Sequence, residues 1–119
     1  MSMGTITDWN LPKHPKYPYT VPLFHCNGWG HAWTMAALAG TMFCTRAIIP
    51  EEIFNSITTH KITHFGGAPI VLNMLLNSPA ARDFKCRRPV EIMTAGAPPP
   101  ASILQGIERL GFNVTQVYG

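Results

Sequence analysis

The chain has 119 residues, about one domain or a piece of one, so a multi-domain enzyme does not fit within it. Charged residues make up 13% of it, against about 25% in a typical soluble domain, while 46% is hydrophobic; this excludes a disordered segment, and the many prolines and glycines exclude a coiled coil. The net charge of +3 falls short of a nucleic-acid signature, and three scattered cysteines, Cys26, Cys44 and Cys86, make neither a disulfide framework nor a CxxC site and point to a reducing compartment.

Residues 1–16 read as a lead-in that closes on the loop Pro12-Lys13-His14-Pro15-Lys16, and residues 17–119 read as one folded unit. The lead-in is polar and proline-marked, so no signal peptide is expected, and no apolar stretch is long enough to span a bilayer. A strand is expected from Tyr19 to Phe24. A helix capped by Asn27 follows, with Trp29, Trp33, Ala36, Ala37 and Leu38 recurring at helical spacing as a buried face and Gly40 as its stop. Thr41 to Thr45 has strand character. Pro50-Glu51-Glu52 then opens a helix with proline in its first turn and acids near its positive end, and Ile53, Phe54 and Ile57 form its inner face.

Ile62 to Phe65 reads as a strand, Gly66-Gly67 as a turn, and Pro69 to Leu76 as a helix that ends before Pro79. The basic run Arg82, Lys85, Arg87 and Arg88, broken by Asp83, reads as a solvated loop, with phosphate contact as the lesser alternative. Val90 to Thr94 is a strand closed by Ala95-Gly96-Ala97 and a proline triplet. A helix through Ile103, Leu104, Ile107 and Leu110 ends at Gly111, before a strand from Phe112 to Val117.

This alternation predicts an α/β fold: a mostly parallel sheet of about five strands with flanking helices and right-handed crossovers. Parallel strands are covered on both faces, and this chain has few helices and little charge with which to do that. The unit is therefore expected to be incomplete, with a further helix after Tyr118-Gly119.

Candidate chemistry falls on the loops after the strands, where a parallel sheet gathers its ligand contacts. These loops are Pro22 to Trp29, Gly66 to Pro69, Ala95 to Pro98, and Tyr118-Gly119. Their glycines let a ligand approach the backbone, although each also serves a tight turn, and Tyr118 offers a ring for stacking. His25 beside Cys26 does not make a nucleophile pair, because neighbours on a strand face opposite ways and no third group is placed. His60 and His64 have i, i+4 spacing but straddle a helix-to-strand boundary. With no GxxxxGK[ST] loop and no acidic pair, the residues assign no catalytic group and no metal ligand.

In their order and spacing, Pro22-Leu23-Phe24-His25-Cys26-Asn27-Gly28-Trp29, Gly67-Ala68-Pro69, Ala95-Gly96-Ala97-Pro98-Pro99 and Val117-Tyr118-Gly119 resemble the acyl-CoA synthetases of the adenylate-forming (AMP-binding) superfamily. The chain is similar to their acyl-activating members, which act on short, medium or aromatic carboxylic acids. The resemblance covers essentially the whole chain. It implies an internal piece of the large N-terminal domain, residues 17–119 being a partial adenylation domain, of an acid-thiol ligase that uses ATP, Mg and coenzyme A. On that resemblance His25, Trp29 and Gly67 border the acyl and pantetheine pocket. Gly96, Ala97 and Pro98 lie against adenine, Tyr118 stacks on it, and Gln116, Val117 and Gly119 flank that ring or the acyl pocket.

The family's phosphate loop does not appear before Pro22. The YGxTE motif stops at Tyr118-Gly119, and the ribose-binding aspartate, the hinge and the C-terminal lysine are absent. The 119 residues alone are therefore expected to be inactive and to bind none of these cofactors tightly. The parent's partners would be a small carboxylic acid, ATP and coenzyme A, with no nucleic acid, in an intracellular setting, cytoplasmic or peroxisomal. The alternative is a truncated non-catalytic nucleotide- or acyl-binding module or an interaction protein.

Overall fold

The computed structural model describes residues 2–117, and of residues 2 and 26–29 the backbone alone. In chain order the elements are α1 (Ser2–Asp8), β1 (Lys16–Tyr19), α2 (Cys26–Ala37), β2 (Thr41–Cys44), α3 (Pro50–His60), β3 (His64–Gly66), α4 (Pro69–Asn77), a 3-10 turn (Pro79–Ala81), β4 (Val90–Ala95), α5 (Ala101–Arg109) and β5 (Phe112–Val117). Every strand pair in the hydrogen-bonded ladders is parallel: β1 with β2, β3 with β4, and β4 with β5.

The strands form two ladders where one continuous sheet was expected, with β1 and β3 side by side at the break. At one end of this seam the Thr63 N–H donates to the Lys16 carbonyl at 3.0 Å, and at the other the Thr20 hydroxyl donates to the Gly66 carbonyl. The spatial order is thus β2-β1-β3-β4-β5. Pro18 gives the break a physical reason. The Lys16 carbonyl faces Thr63 and the Tyr19 carbonyl faces Thr45, so alternation turns the Pro18 nitrogen toward β3, where it has no hydrogen to donate.

Alternation along β4 divides the core between the two faces of the sheet. On one face Val90 and Ile92 join Phe65 and Phe112 under Ile53 and Phe54 of α3, Val71, Leu72 and Leu75 of α4, and Ile107 of α5. On the other, Met93 joins Tyr17, Tyr19, Trp9, Leu11 and Met35 of α2. Proline opens α3 and α4 in their first turns, and Glu51 and Glu52 lie at the positive end of α3. The Glu51 carboxylate accepts from the Ser78 hydroxyl at 2.8 Å, which ties α3 to the 3-10 turn.

Several local expectations need correction. The lead-in contains the helix α1, and the loop after it is anchored by the His14 N–H on the Leu38 carbonyl at 2.9 Å. The strand expected at Tyr19 to Phe24 lies earlier, because the paired residues are Lys16 to Tyr19 and the chain leaves the sheet before Pro22. Helix α2 begins at Cys26 with His25, not Asn27, in the capping position, and it ends at Ala37, with left-handed Ala39 (φ 51°) making the turn expected of Gly40. Trp33 is 64% exposed, because α2 packs on Tyr17 and its neighbours through His31, Thr34 and Met35 instead.

His64 is buried edge-on against the Trp9 ring, centroids 5.1 Å apart, with Nδ1 2.7 Å from the Thr63 hydroxyl oxygen. Burial holds its pKa below the ordinary 6.5, with Glu91 opposing the shift. The unfolded chain therefore takes up this proton first, so the contribution is complete above about pH 6.5 and is lost as the pH falls through the folded value. Urea midpoints measured between pH 7 and 5 should fall in the wild type and fall less in His64→Gln. Equal slopes would discard His64 as the acid-sensitive group.

Candidate functional site

From β1 the chain moves through α2 outward to β2, and from β3 through α4 outward in the opposite direction to β4. The order therefore reverses between β1 and β3, and an open parallel sheet has its natural crevice outside the carboxyl ends of strands at such a switch. Segment 20–25 after β1 and segment 67–69 after β3 flank it, with segment 96–100 after β4 next along the edge. The elements thus bring His25, Gly67, Gly96, Ala97 and Pro98 to one edge of the sheet.

His25 sits with extended backbone (φ −87°, ψ 150°) at the start of the 12-residue α2. Its N–H donates to the Pro22 carbonyl at 3.1 Å, which closes the turn that carries it. The side chain is exposed and its ring tilts against Phe24, centroids 4.6 Å apart. Leu23 and Phe24 are 59% and 81% exposed, so the turn offers an apolar rim beside an imidazole. Trp29 lies on the first turns of α2, but its side chain is outside the described residues, and so are Tyr118 and Gly119.

Gly67 is buried and its N–H donates to the Met93 carbonyl at 3.0 Å, carrying the β3 to β4 pairing one residue past the strand. Gly96 has φ +90°, a backbone conformation that disfavours side chains, and a Cβ there would meet nothing within 4 Å. It turns the chain out of β4 and leaves open space above itself, as a shelf for a flat ligand requires. Ala97 and Pro98 continue the shelf as exposed residues, and Gln116, also exposed, pairs with Thr94 across the β4 to β5 ladder. The exposed side chains named at this edge, Leu23, Phe24, His25, Ala97, Pro98 and Gln116, include no carboxylate and no ammonium group. Among the described residues, no group of three or more His, Cys, Asp or Glu is placed to hold a metal ion.

His60 and His64 are not brought together as a pair. His60 is exposed and stacks on Phe43, whereas His64 is buried against Trp9. The sequence reading missed Tyr17 and Thr20, which line the seam beneath the crevice, and Thr94, whose buried hydroxyl has no hydrogen-bond partner among the described residues. Inward alternation in Val90, Ile92 and Thr94 could have revealed the last. The seam contacts join residues 46 and 47 apart and leave no local pattern.

The AMP-binding enzyme family model matches residues 1–119. A protein of Humulus lupulus named "Probable CoA ligase CCL11" is 49% identical over 119 residues, covering 100% of this chain and 21% of its own length. A 2-methylpropanoate–CoA ligase of the same plant, CCL4, is 48% identical with the same coverage. The chain thus spans about a fifth of these curated relatives. In fold, it matches the crystal structure of the N-terminal domain of FACL13 from Mycobacterium tuberculosis with a TM-score of 0.87 at 16% identity, over 99% of this chain and 31% of that one.

Proposed function

This chain belongs to the AMP-binding enzyme family, and on that premise we propose that it supplies the acyl-pocket wall and adenine shelf of an acid-thiol ligase. The reaction has two parts. A carboxylate oxygen attacks the α-phosphorus of ATP and pyrophosphate leaves; the coenzyme A thiolate then attacks the acyl carbon and AMP leaves. Adenylation turns a poor leaving oxygen into a good one, and the site's task is to hold the reactants in line and to meet developing charge.

The observation that carries this reading is the meeting of His25, Gly67 and Gly96 at the β1/β3 switch and its adjoining edge. His25, Trp29 and Gly67 border the acyl group and the incoming thiol. Gly96, Ala97 and Pro98 lie under adenine, with Gln116, Tyr118 and Gly119 around it. The exposed rim of Leu23 and Phe24 suits an apolar acid. Residues 17–119 act as part of a larger adenylation domain, in the cytoplasm or a peroxisome, and among the described residues no helix is long and apolar enough to cross a membrane. The 119 residues contain no Ser/Thr/Gly-rich loop with a lysine to neutralise triphosphate charge, so by themselves they do not complete the reaction or hold its cofactors tightly.

The test uses the protein at its full natural length, with ATP, Mg, coenzyme A and a panel of short branched and aromatic acids, following AMP release and thioester formation separately. Both products are expected. In His25→Ala, thioester formation should slow several-fold more than adenylation, because the imidazole borders the thiol's path. Absence of both products with every acid would overturn the ligase reading, and equal slowing of the two steps would overturn the role of His25.

A further inference from the structure

The basic run that the proposed reaction leaves unused has its charged residues exposed, as expected of a solvated loop, but its backbone is anchored. Phe84 inserts its ring between Phe54 and Phe112, with centroids 4.5 Å and 6.0 Å away. Two residues on, the Cys86 N–H donates to the Leu110 carbonyl at 2.8 Å. Gly111 keeps that contact close: it has φ +98°, and a Cβ on it would lie 2.9 Å from the Cys86 Cβ. The loop is therefore pinned at two points, and the cations it carries leave from a fixed backbone.

Three of these cations line a cleft of about 480 Å³, a volume within the range of small-molecule sites. Lys85, Arg87 and Arg88 line one wall, and Lys61, the left-handed residue that ends α3, lines the other. Among the described residues the lining holds these four cations and one carboxylate, Asp83. Beneath them Ile57, Ile62 and Phe84 contribute an apolar floor. The cleft opens beside Thr63 and Val90, at the amino ends of β3 and β4, so it occupies the end of the sheet opposite the switch-point crevice.

We propose that this cleft is a second binding site, separate from the crevice, for a phosphate ester that carries an apolar body. The excess of positive charge matches a phosphate dianion better than a single carboxylate, and the planar guanidinium groups of Arg87 and Arg88 suit its oxygens. The floor provides what a bare inorganic ion cannot use. The basic run on its own is common on protein surfaces; the pinned backbone, the fourth cation from across the cleft and the apolar floor distinguish this one.

The experiment titrates phenyl phosphate into the protein at full natural length, with phenol and inorganic phosphate as partial probes and saturating AMP as competitor. Phenyl phosphate should bind more tightly than either part, and saturating AMP should not displace it, since AMP is proposed for the other end of the sheet. The Arg87→Gln/Arg88→Gln double variant and, independently, Lys61→Gln should each weaken it about tenfold or more. If the arginine pair lowers the melting temperature, Lys85→Glu takes its place. Unchanged affinity in these variants, displacement by AMP, or inorganic phosphate binding as tightly as the ester would each overturn the proposal. Binding to phosphatidylserine vesicles with none to phenyl phosphate would overturn it in favour of a membrane-facing patch. Loss of ligase activity with phenyl phosphate binding intact would refute the proposed reaction and leave this site standing.

Discussion

Phe65→Ala is expected to destabilise the fold by about 3–5 kcal/mol, the loss typical of an aromatic side chain removed from a closed core. Phe65 is 0% exposed and lies on β3, the central strand of the five. Its ring meets Phe112 edge-on at 5.9 Å, and it shares a core with side chains from α3, α4 and α5. Because β3 is fixed by β4 on one side and by the seam on the other, the cavity has little room to collapse. A folded domain commonly has only about 5–15 kcal/mol in total, so the change should consume a large part of it. Urea midpoints of the wild type, Phe65→Leu and Phe65→Ala should fall in that order, and a loss below about 1 kcal/mol in the alanine variant would remove Phe65 from the centre of the core.

Gly66→Ala should cost about 1–3 kcal/mol for a reason that lies across the seam. A Cβ at Gly66 would sit 2.6 Å from the Tyr17 hydroxyl oxygen. Tyr17 cannot step aside: it is 1% exposed, its ring stacks on His31 at 4.9 Å, and Tyr19 meets it at 5.3 Å. Burial also raises its pKa well above the ordinary tyrosine value, so the hydroxyl keeps its proton. Tyr17→Phe removes the atom in conflict and should recover most of the loss when combined with Gly66→Ala. A double-mutant cycle reads this directly, since a steric clash predicts strong coupling between the two changes. Simple additivity would reject the clash.

Local signals carried most of the element order. Prolines at the first turns of α3 and α4, the spacing of Ile53, Phe54 and Ile57, and the glycine before β5 each act within a few residues, and those elements lie where their chemistry puts them. Errors arose where distant packing chose among locally acceptable options. Trp33 satisfies helical spacing, but the face of α2 that packs inward is the one carrying His31 and Met35. The run from Tyr19 to Phe24 has strand composition, yet every residue of it after Tyr19 lies beyond the end of β2, which stops at Cys44 opposite Tyr19. The broken ladder was written in Pro18 all along, but its meaning depends on which neighbour that nitrogen faces. His25, Gly67 and Gly96 were legible as loop residues after strands, whereas the spatial order that gathers them required the structure.

The interrupted ladder also divides the domain's cooperativity. Backbone hydrogen bonds in register add opening free energy strand by strand, and the Pro18 seam has fewer of them, so amide exchange is expected to be faster in β1 and β2 than in β3 to β5. The two flanks of the crevice then belong to different tiers of protection from solvent. Gly67 and Gly96 are held by the more protected tier, while the turn bearing His25 hangs from the less protected one. In such an arrangement the proposed adenine shelf would keep its shape while the proposed acyl wall yields, so one seam would give a single edge both a rigid side and a compliant one.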